Sequence, residues 1–487
     1  MTEMVFKRDE EETLTDFLES KRAEFLAVYG RRRVGKTFLI NAFFEKKKVI
    51  FFKVTGSKNG ERAEQLGHFI KAISETFYHG VALQVPKTWD DAFELLTNII
   101  KNQTGNLKII LFFDEFPWMA TKKSRLKENL SYYWNQHWEN DHRIKLIICG
   151  SSASWIINNI INDTGGLHNR ITKRIILEPL NLTETKQFLL KQGVKLNHDQ
   201  LLQLYIAIGG IPYYLTQVKK GLSATQNIQQ LAFKKNGILI DEFNNLFSSL
   251  FKNHEVNIEI IRTIASRRNG ISQEMLFKKI GGSIKGKLGV SKLQELEDTG
   301  FIIRFMPFSH KKKGVYFKVI DEYTLFYLKW IEPVKKALLK NSLPTSYWQK
   351  QSQTPAWYSW SGLAFESVCY KHIGRIQKTL KLNALALAYT WRTTQAEPTE
   401  KSGAQVDLLF DRDDDAITLC EIKYTDVPFV IDKQYAKNLE NKKDVFIQKT
   451  KTKKQIFFAF ISAHGLKKTI YSEDMVDGVV TLDDLFE

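Results

Sequence analysis

Cysteine is scarce in this chain, with three residues (Cys149, Cys369 and Cys420) in 487. No CxxC pair occurs, and no His/Cys cluster has the spacing of zinc ligands. Two of the three lie within apolar runs, a pattern that excludes a disulfide framework and points to reduced thiols. Long apolar runs are missing as well. No stretch approaches the roughly 18 apolar residues needed to cross a bilayer, and Met1–Glu10 lacks the apolar core of a secretory signal. The expectation is a cytoplasmic protein with no membrane partner. Acidic residues are in deficit, 54 against 71 Lys and Arg, which leaves a formal charge of +17. Such a balance favours polyanionic partners, because basic groups release counterions condensed on nucleic acid. Much of the charge sits in short clusters: Lys46–Lys48, Lys122–Lys123, Lys234–Lys235, Lys311–Lys313, Lys442–Lys443 and Lys449–Lys454. A lysine-rich solvated surface is the alternative reading of the same clusters.

What is present is ample material for packed cores. Hydrophobic residues make up 43% of the chain and aromatics 12%, which argues against disorder. The length is too great for one core and implies two or three domains.

The most informative stretch is residues 24–44. An apolar strand, Phe25–Tyr29, runs into Gly30-Arg31-Arg32-Arg33-Val34-Gly35-Lys36-Thr37, and an apolar-periodic helix starts at Phe38. Glycines let backbone N–H groups curl around an anion, and the helix N-terminus adds partial positive charge. Lys36 is expected to reach the β- and γ-phosphates of a nucleoside triphosphate, and the Thr37 hydroxyl to ligate Mg²⁺. A second apolar run, residues 107–116, ends in Asp114-Glu115, as suits a buried parallel strand whose carboxyl end faces the ligand. Asp114 is the expected Mg²⁺ holder and Glu115 the base that polarises the attacking water. A third strand, Lys145–Gly150, ends in Ser151-Ser152. Ser151 there either touches the γ-phosphate or the lytic water, or caps the next helix.

The motifs Gly30–Thr37, Phe112–Phe116, Ile148–Ser152 and Gly209–Leu215 together resemble the archaeal-type ATPase family, a branch of the AAA+/STAND P-loop ATPases, over residues 4–230. The resemblance implies a parallel α/β sheet with a helical lid, and a homo-oligomer. It implies that Asp9 and Glu11 precede the first strand and that Gly210 and Pro212 belong to the lid over the nucleotide. It also implies that Arg170 matches an arginine able to face a neighbouring subunit's nucleotide. Here Asn169 stands where relatives often carry glycine, so a structural surface arginine is the competing role.

Residues 255–330 read as three short helices (258–265, 272–279, 290–298) followed by a hairpin (301–305, 315–319), the outline of a winged helix. Its third helix suits a major groove, and the Lys311–Lys313 tip suits phosphates. Packing against its own ATPase is the other use of such a segment. Residues 331–362 combine Pro333, Pro344 and Pro355 with Trp330, Trp348, Trp357 and Trp360, as expected of an ordered joint.

Near the C-terminus, a helix carries Glu366, an apolar strand 403–410 carries Asp407, and a second strand 416–423 carries Glu421 and Lys423. Glu421 and Lys423 share one strand face. Asp407 and Glu421 are equidistant from position 414, so a simple hairpin sets them side by side. Paired carboxylates repel unless a divalent cation lies between them, and a lysine one step on can orient water or stabilise phosphate charge. The constellation resembles the PD-(D/E)XK, restriction-endonuclease-like superfamily over residues 358–460, with Val406 in place of the usual proline. The resemblance implies Glu366, Asp407 and Glu421 as Mg²⁺ (or Mn²⁺) ligands and Lys423 as the catalytic lysine, with a contact from Gln434 or Tyr435.

The expected organisation is therefore an ATPase core (1–180), helical lid (181–250), winged helix (251–330), aromatic connector (331–357) and nuclease-like α/β domain (358–487). The expected function is ATP hydrolysis coupled to metal-dependent cutting of DNA, with genome defence as a fitting role. The alternative is an ATP-switched scaffold that binds nucleic acid or protein without cutting it.

Overall fold

A computed structural model describes residues 8–281, 284, 286–308, 314–392 and 404–487. The chain forms two compact units, one of residues up to Pro179 with Leu250–Lys252, the other of Leu180–Ser249 with Asn253–Glu487.

The first unit is built on a five-stranded parallel sheet. Its strands are β1 (Glu24–Tyr29), β2 (Ile50–Thr55), β3 (Ile109–Asp114), β4 (Ile144–Gly150) and β5 (Lys173–Ile176), in the order β2-β3-β4-β1-β5. Every residue of β1, β3 and β4 is buried, which is why these segments read as nearly continuous apolar runs rather than alternating ones, with Glu24 and Lys145 the charged exceptions at their amino ends. Phe69, Trp89, Phe93, Phe113, Trp134 and Trp138 form an aromatic core beside the sheet, where the Trp138 indole N–H is satisfied by Thr97 Oγ1 at 3.1 Å. The chain leaves β1 at Gly30 with φ +143°, and a Cβ there would lie 2.3 Å from the Leu177 carbonyl oxygen. No other residue type fits that turn.

The second unit opens with helices, among them Leu182–Lys191, His198–Ile208 and Pro212–Leu215. Gly210 is required between the last two, because a Cβ would sit 1.7 Å from the Leu180 oxygen. Three helices follow, His254–Ala265, Gln273–Ile280 and Lys287–Asp298. They pack with an antiparallel sheet of β6 (Ile271–Ser272), β7 (Ile302–Phe305) and β8 (Tyr316–Val319), in the order β6-β8-β7. β6 is too short to read from sequence, and the Lys311–Lys313 tip lies outside the described residues. The joint is ordered by its rings: Trp348 lies 5.5 Å from Trp330 and 5.0 Å from Trp357, and Trp357 lies 5.2 Å from Trp360. The helix Pro355–Lys371 starts in this joint, is capped by Thr354, and carries Glu366. It runs straight across the boundary expected at residues 357/358.

The C-terminal sheet is mixed. β9 (Leu387–Arg392), β10 (Gln405–Asp411), β11 (Ala416–Lys423), β12 (Gln455–Ser462) and β13 (Gly478–Val480) lie in the order β13-β12-β11-β10-β9. β9, β10 and β11 pair antiparallel, whereas β11, β12 and β13 pair parallel. The parallel step from β11 to β12 is made by the helix Lys433–Thr450, as a crossover must be.

One buried histidine makes this unit acid-sensitive. His372 donates from Nδ1 to the Val368 oxygen (2.8 Å) and accepts at Nε2 from the Leu182 N–H (3.2 Å), which requires the neutral ring. Burial holds its pKa down at about 4. Because the unfolded chain binds the proton more readily, stability is fully present above about pH 6.5 and is lost as the pH falls to about 4. The loss is about 3 kcal/mol. His372→Gln is expected to flatten the fall of melting temperature across that window, and acid profiles that stay parallel to wild type would refute the assignment.

Candidate functional site

The first constellation lies at the carboxyl ends of β1, β3 and β4. After Gly30 the loop uses two further left-handed residues, Arg33 (φ 70°) and Gly35 (φ 98°), the latter serving as N-cap of the helix Lys36–Phe44. Arg31, Val34 and Lys36 are buried, Arg32 and Arg33 half-buried, and Phe38 is exposed. The Lys36 ammonium is held by the loop's own carbonyls, Gly30 at 3.0 Å and Arg31 at 2.9 Å. The Thr37 hydroxyl donates to both Asp114 oxygens, at 2.8 and 3.1 Å. A hydroxyl and a carboxylate in contact at the mouth of the loop are a hard-oxygen donor pair suited to Mg²⁺.

Glu115 departs from the expected simple strand end. β3 stops at Asp114, and Glu115 turns out of the sheet with φ 48°, a conformation costing a non-glycine residue about 1 kcal/mol. The turn carries its carboxylate to the end of β4, where Oε2 accepts from the Ser151 N–H (3.1 Å) and hydroxyl (3.0 Å). Ser151 therefore clamps the acid. The next residue, Ser152, stands at the N-cap of a short helix and makes no side-chain cap bond, so neither serine caps it. Behind Asp114, burial pushes the Cys149 thiol pKa well up, so it stays protonated.

Arg170 pairs with Glu139 at 2.5 Å within its own unit. Asp9 and Glu11 lie in the helix Arg8–Glu19. Pro212 opens a helix of the second unit.

Residues 6–218 match the family model described as an ATPase domain predominantly from Archaea. This stretch is an archaeal-type ATPase domain. The uncharacterized protein MJECL04 of Methanocaldococcus jannaschii is 25% identical over 438 residues, spanning 87% of this chain and 88% of its own length. Among solved structures, the Walker-type ATPase paby2304 of Pyrococcus abyssi is similar at 18% identity and TM-score 0.46, over 67% of this chain and 96% of that one. The Aeropyrum pernix ORC2 protein, in its ADPNP–ADP complexes, is similar at 15% identity and TM-score 0.42, over 72% and 96%. The matched stretch contains the loop, Asp114, Glu115 and Ser151, and it ends before the helix His254–Ala265. Among the described residues no helix is long and apolar enough to cross a membrane.

The second constellation lies in the other unit. β10 and β11 pair Leu408 with Cys420 and Leu409 with Leu419, so the next step of the register sets Asp407 opposite Glu421. On its other side β10 shifts register against β9 between Val406 and Leu409. This irregularity spares the Asp407 carbonyl from the ladder, and the Tyr370 hydroxyl donates to it at 2.5 Å. Glu366, Asp407, Glu421 and Lys423 line one cleft of about 500 Å³ together with Arg268, Asn269, Asn438 and Lys442. Burial, with Glu421 and Glu366 adding repulsion, pushes the Asp407 carboxyl up to about 6.

The other two carboxylates are held by cations. Glu366 faces Lys318 at 3.3 Å and Arg268 at 3.5 Å. Glu421 faces Lys442, Lys423 at 3.6 Å, and the Tyr435 hydroxyl at 3.1 Å. Among the described residues no three His, Cys, Asp or Glu side chains converge closely enough to hold a metal ion. Gln434 does not line the cleft; its amide donates to Asn438, which does. Lys442 was missed in the sequence although a signal existed, since Tyr435, Asn438 and Lys442 recur at i, i+3 and i+7 on one helix face. Arg268 and Lys318 carried no local signal, because they come from a distant segment.

Proposed function

We propose that the chain is an ATP-hydrolysing protein coupled to a metal-dependent nuclease domain that cuts DNA. In the ATPase domain, Lys36 and the loop N–H groups from Arg31 to Phe38 would bind the phosphates, and Thr37 and Asp114 would hold Mg²⁺. Glu115, aimed by Ser151, takes the proton of the attacking water. Arg170 would act on a neighbouring subunit's ATP in a homo-oligomer only after leaving Glu139.

The observation that carries the nuclease reading is the antiparallel register that sets Asp407 opposite Glu421, with Lys423 on the same strand face and Glu366 in the same cleft. Three carboxylates line the one cleft, and Asp407, raised towards neutrality beside Glu421, is donor chemistry that a divalent cation relieves. Asp407 and Glu421 would hold Mg²⁺ or Mn²⁺, which would supply an activated water and neutralise phosphate charge; Glu366 would join them only on leaving Lys318 and Arg268. Lys423 would orient that water or stabilise the departing oxygen.

A second reading, a cleft that binds without cutting, is favoured by the cations already spent on Glu366 and Glu421. The deciding experiment incubates wild type and Asp407→Ala with circular DNA and Mg²⁺ or Mn²⁺, with and without ATP. Cutting by wild type alone supports the nuclease. Silence of wild type under every condition supports the binding protein.

A further inference from the structure

One wall of the carboxylate cleft comes from the winged-helix segment. The turn between the helix His254–Ala265 and β6 brings Asn269 against β10, where its amide donates to Gln405 Oε1 at 2.8 Å. The Gln405 amide in turn donates to Asp407 Oδ1 at 3.2 Å. Two hydrogen bonds thus tie the turn to the central carboxylate. Further along, the Phe308 N–H donates to the Thr390 oxygen of β9 at 2.8 Å, and the Phe308 ring packs 5.6 Å from both Tyr389 and Phe446. The segment is fixed to the C-terminal sheet at two places, so its side chains hold set positions over the cleft.

Two cations arrive this way, and they differ. Lys318 is 13% exposed and lies against Glu366 and over the Tyr370 ring, a position that neutralises Glu366 and little else. Arg268 touches Glu366 only at 3.5 Å and keeps 63% of its side chain exposed. Its planar fork of N–H donors suits a phosphate oxygen pair. A polyanion approaching three carboxylates needs cations at the rim. Lys423 and Lys442 supply them from β11 and the helix Lys433–Thr450, and Arg268 is their counterpart from the winged-helix side.

We propose that the winged-helix segment supplies a substrate-binding residue to the nuclease cleft, Arg268, which grips a backbone phosphate beside the bond to be cut, with Asn269 and Gln405 setting its place. The proposal rests on the nuclease reading. Because Arg268 is exposed, Arg268→Ala should fold. In the full-length protein, binding of a short fluorescent DNA duplex is measured by anisotropy with Ca²⁺ across a salt series, and circular DNA cutting is measured with Mg²⁺. Arg268→Ala should raise Kd about tenfold, as loss of a charge-assisted contact does, and lower the slope of log K against log salt by about one. Cutting should fall by at least about tenfold. Lys336→Ala, at an exposed lysine outside the cleft, should change neither.

A Kd and slope within error of wild type would overturn the proposal, whatever happens to cutting. Faster cutting by Arg268→Ala would also overturn it, by revealing Arg268 as a brake on Glu366. If wild type binds DNA without cutting, the nuclease reading fails and the salt series still decides the role of Arg268. If wild type neither binds nor cuts, both fall.

Discussion

Glu115→Gln is expected to bind ATP with an affinity within about threefold of wild type while phosphate release drops on the order of 10²–10⁴-fold, the range for loss of a positioned general base. The amide keeps the shape of the carboxylate and one oxygen to accept from the Ser151 N–H and hydroxyl, which now meet Oε2 at 3.1 and 3.0 Å. What it loses is the ability to take a proton. Lys36→Ala should behave differently, weakening ATP binding itself, because the ammonium poised on the Gly30 and Arg31 carbonyls is the group offered to the phosphates. Nucleotide titration by fluorescence and steady-state phosphate release separate the two. Turnover by Glu115→Gln within twofold of wild type would remove Glu115 from the chemistry.

Asp407→Ala is expected to abolish DNA cutting, by on the order of 10³-fold or more, with ATP turnover unchanged within twofold. Asp407 stands between Glu366 and Glu421, and its Oδ2 also accepts from the Ile422 N–H at 3.3 Å. The alanine variant loses that bond along with the charge, so Asp407→Asn is the sharper companion. It retains an acceptor for Ile422 and loses the negative charge that a cation requires, together with the second oxygen that accepts from Gln405. Both variants should fail to cut and both should melt cooperatively. Cutting that survives in Asp407→Asn would exclude a metal held at this carboxylate.

The parts of the molecule legible in the sequence are those where local pattern and burial coincide. β1, β3 and β4 are buried along their whole length, so they stand out as apolar runs, and their carboxyl ends mark Lys36, Asp114 and Ser151 without further help. The hairpin of Asp407 and Glu421 was legible for another reason: an antiparallel register follows from its turn, and the 411–416 turn is short and polar. Glu115 was found but misplaced, because a left-handed step out of a strand has no signature in residue type when the residue is glutamate. Arg268, Asn269 and Lys318 were invisible. Their role depends on a docking between segments 48 to 136 residues apart in sequence, which no periodicity encodes.

The helix Pro355–Lys371 begins among the tryptophans and ends beside the carboxylates. Trp357 and Glu366 are separated by nine residues, about 14 Å of helix at 1.5 Å per residue. A tilt of about 10° at the indole end moves the carboxylate by roughly 2 Å, on the scale of a metal–oxygen bond. A rigid rod of this kind would carry a movement of the tryptophan joint to Glu366, and the stacked and edge-on indoles of Trp330, Trp348, Trp357 and Trp360 would register it in near-ultraviolet dichroism.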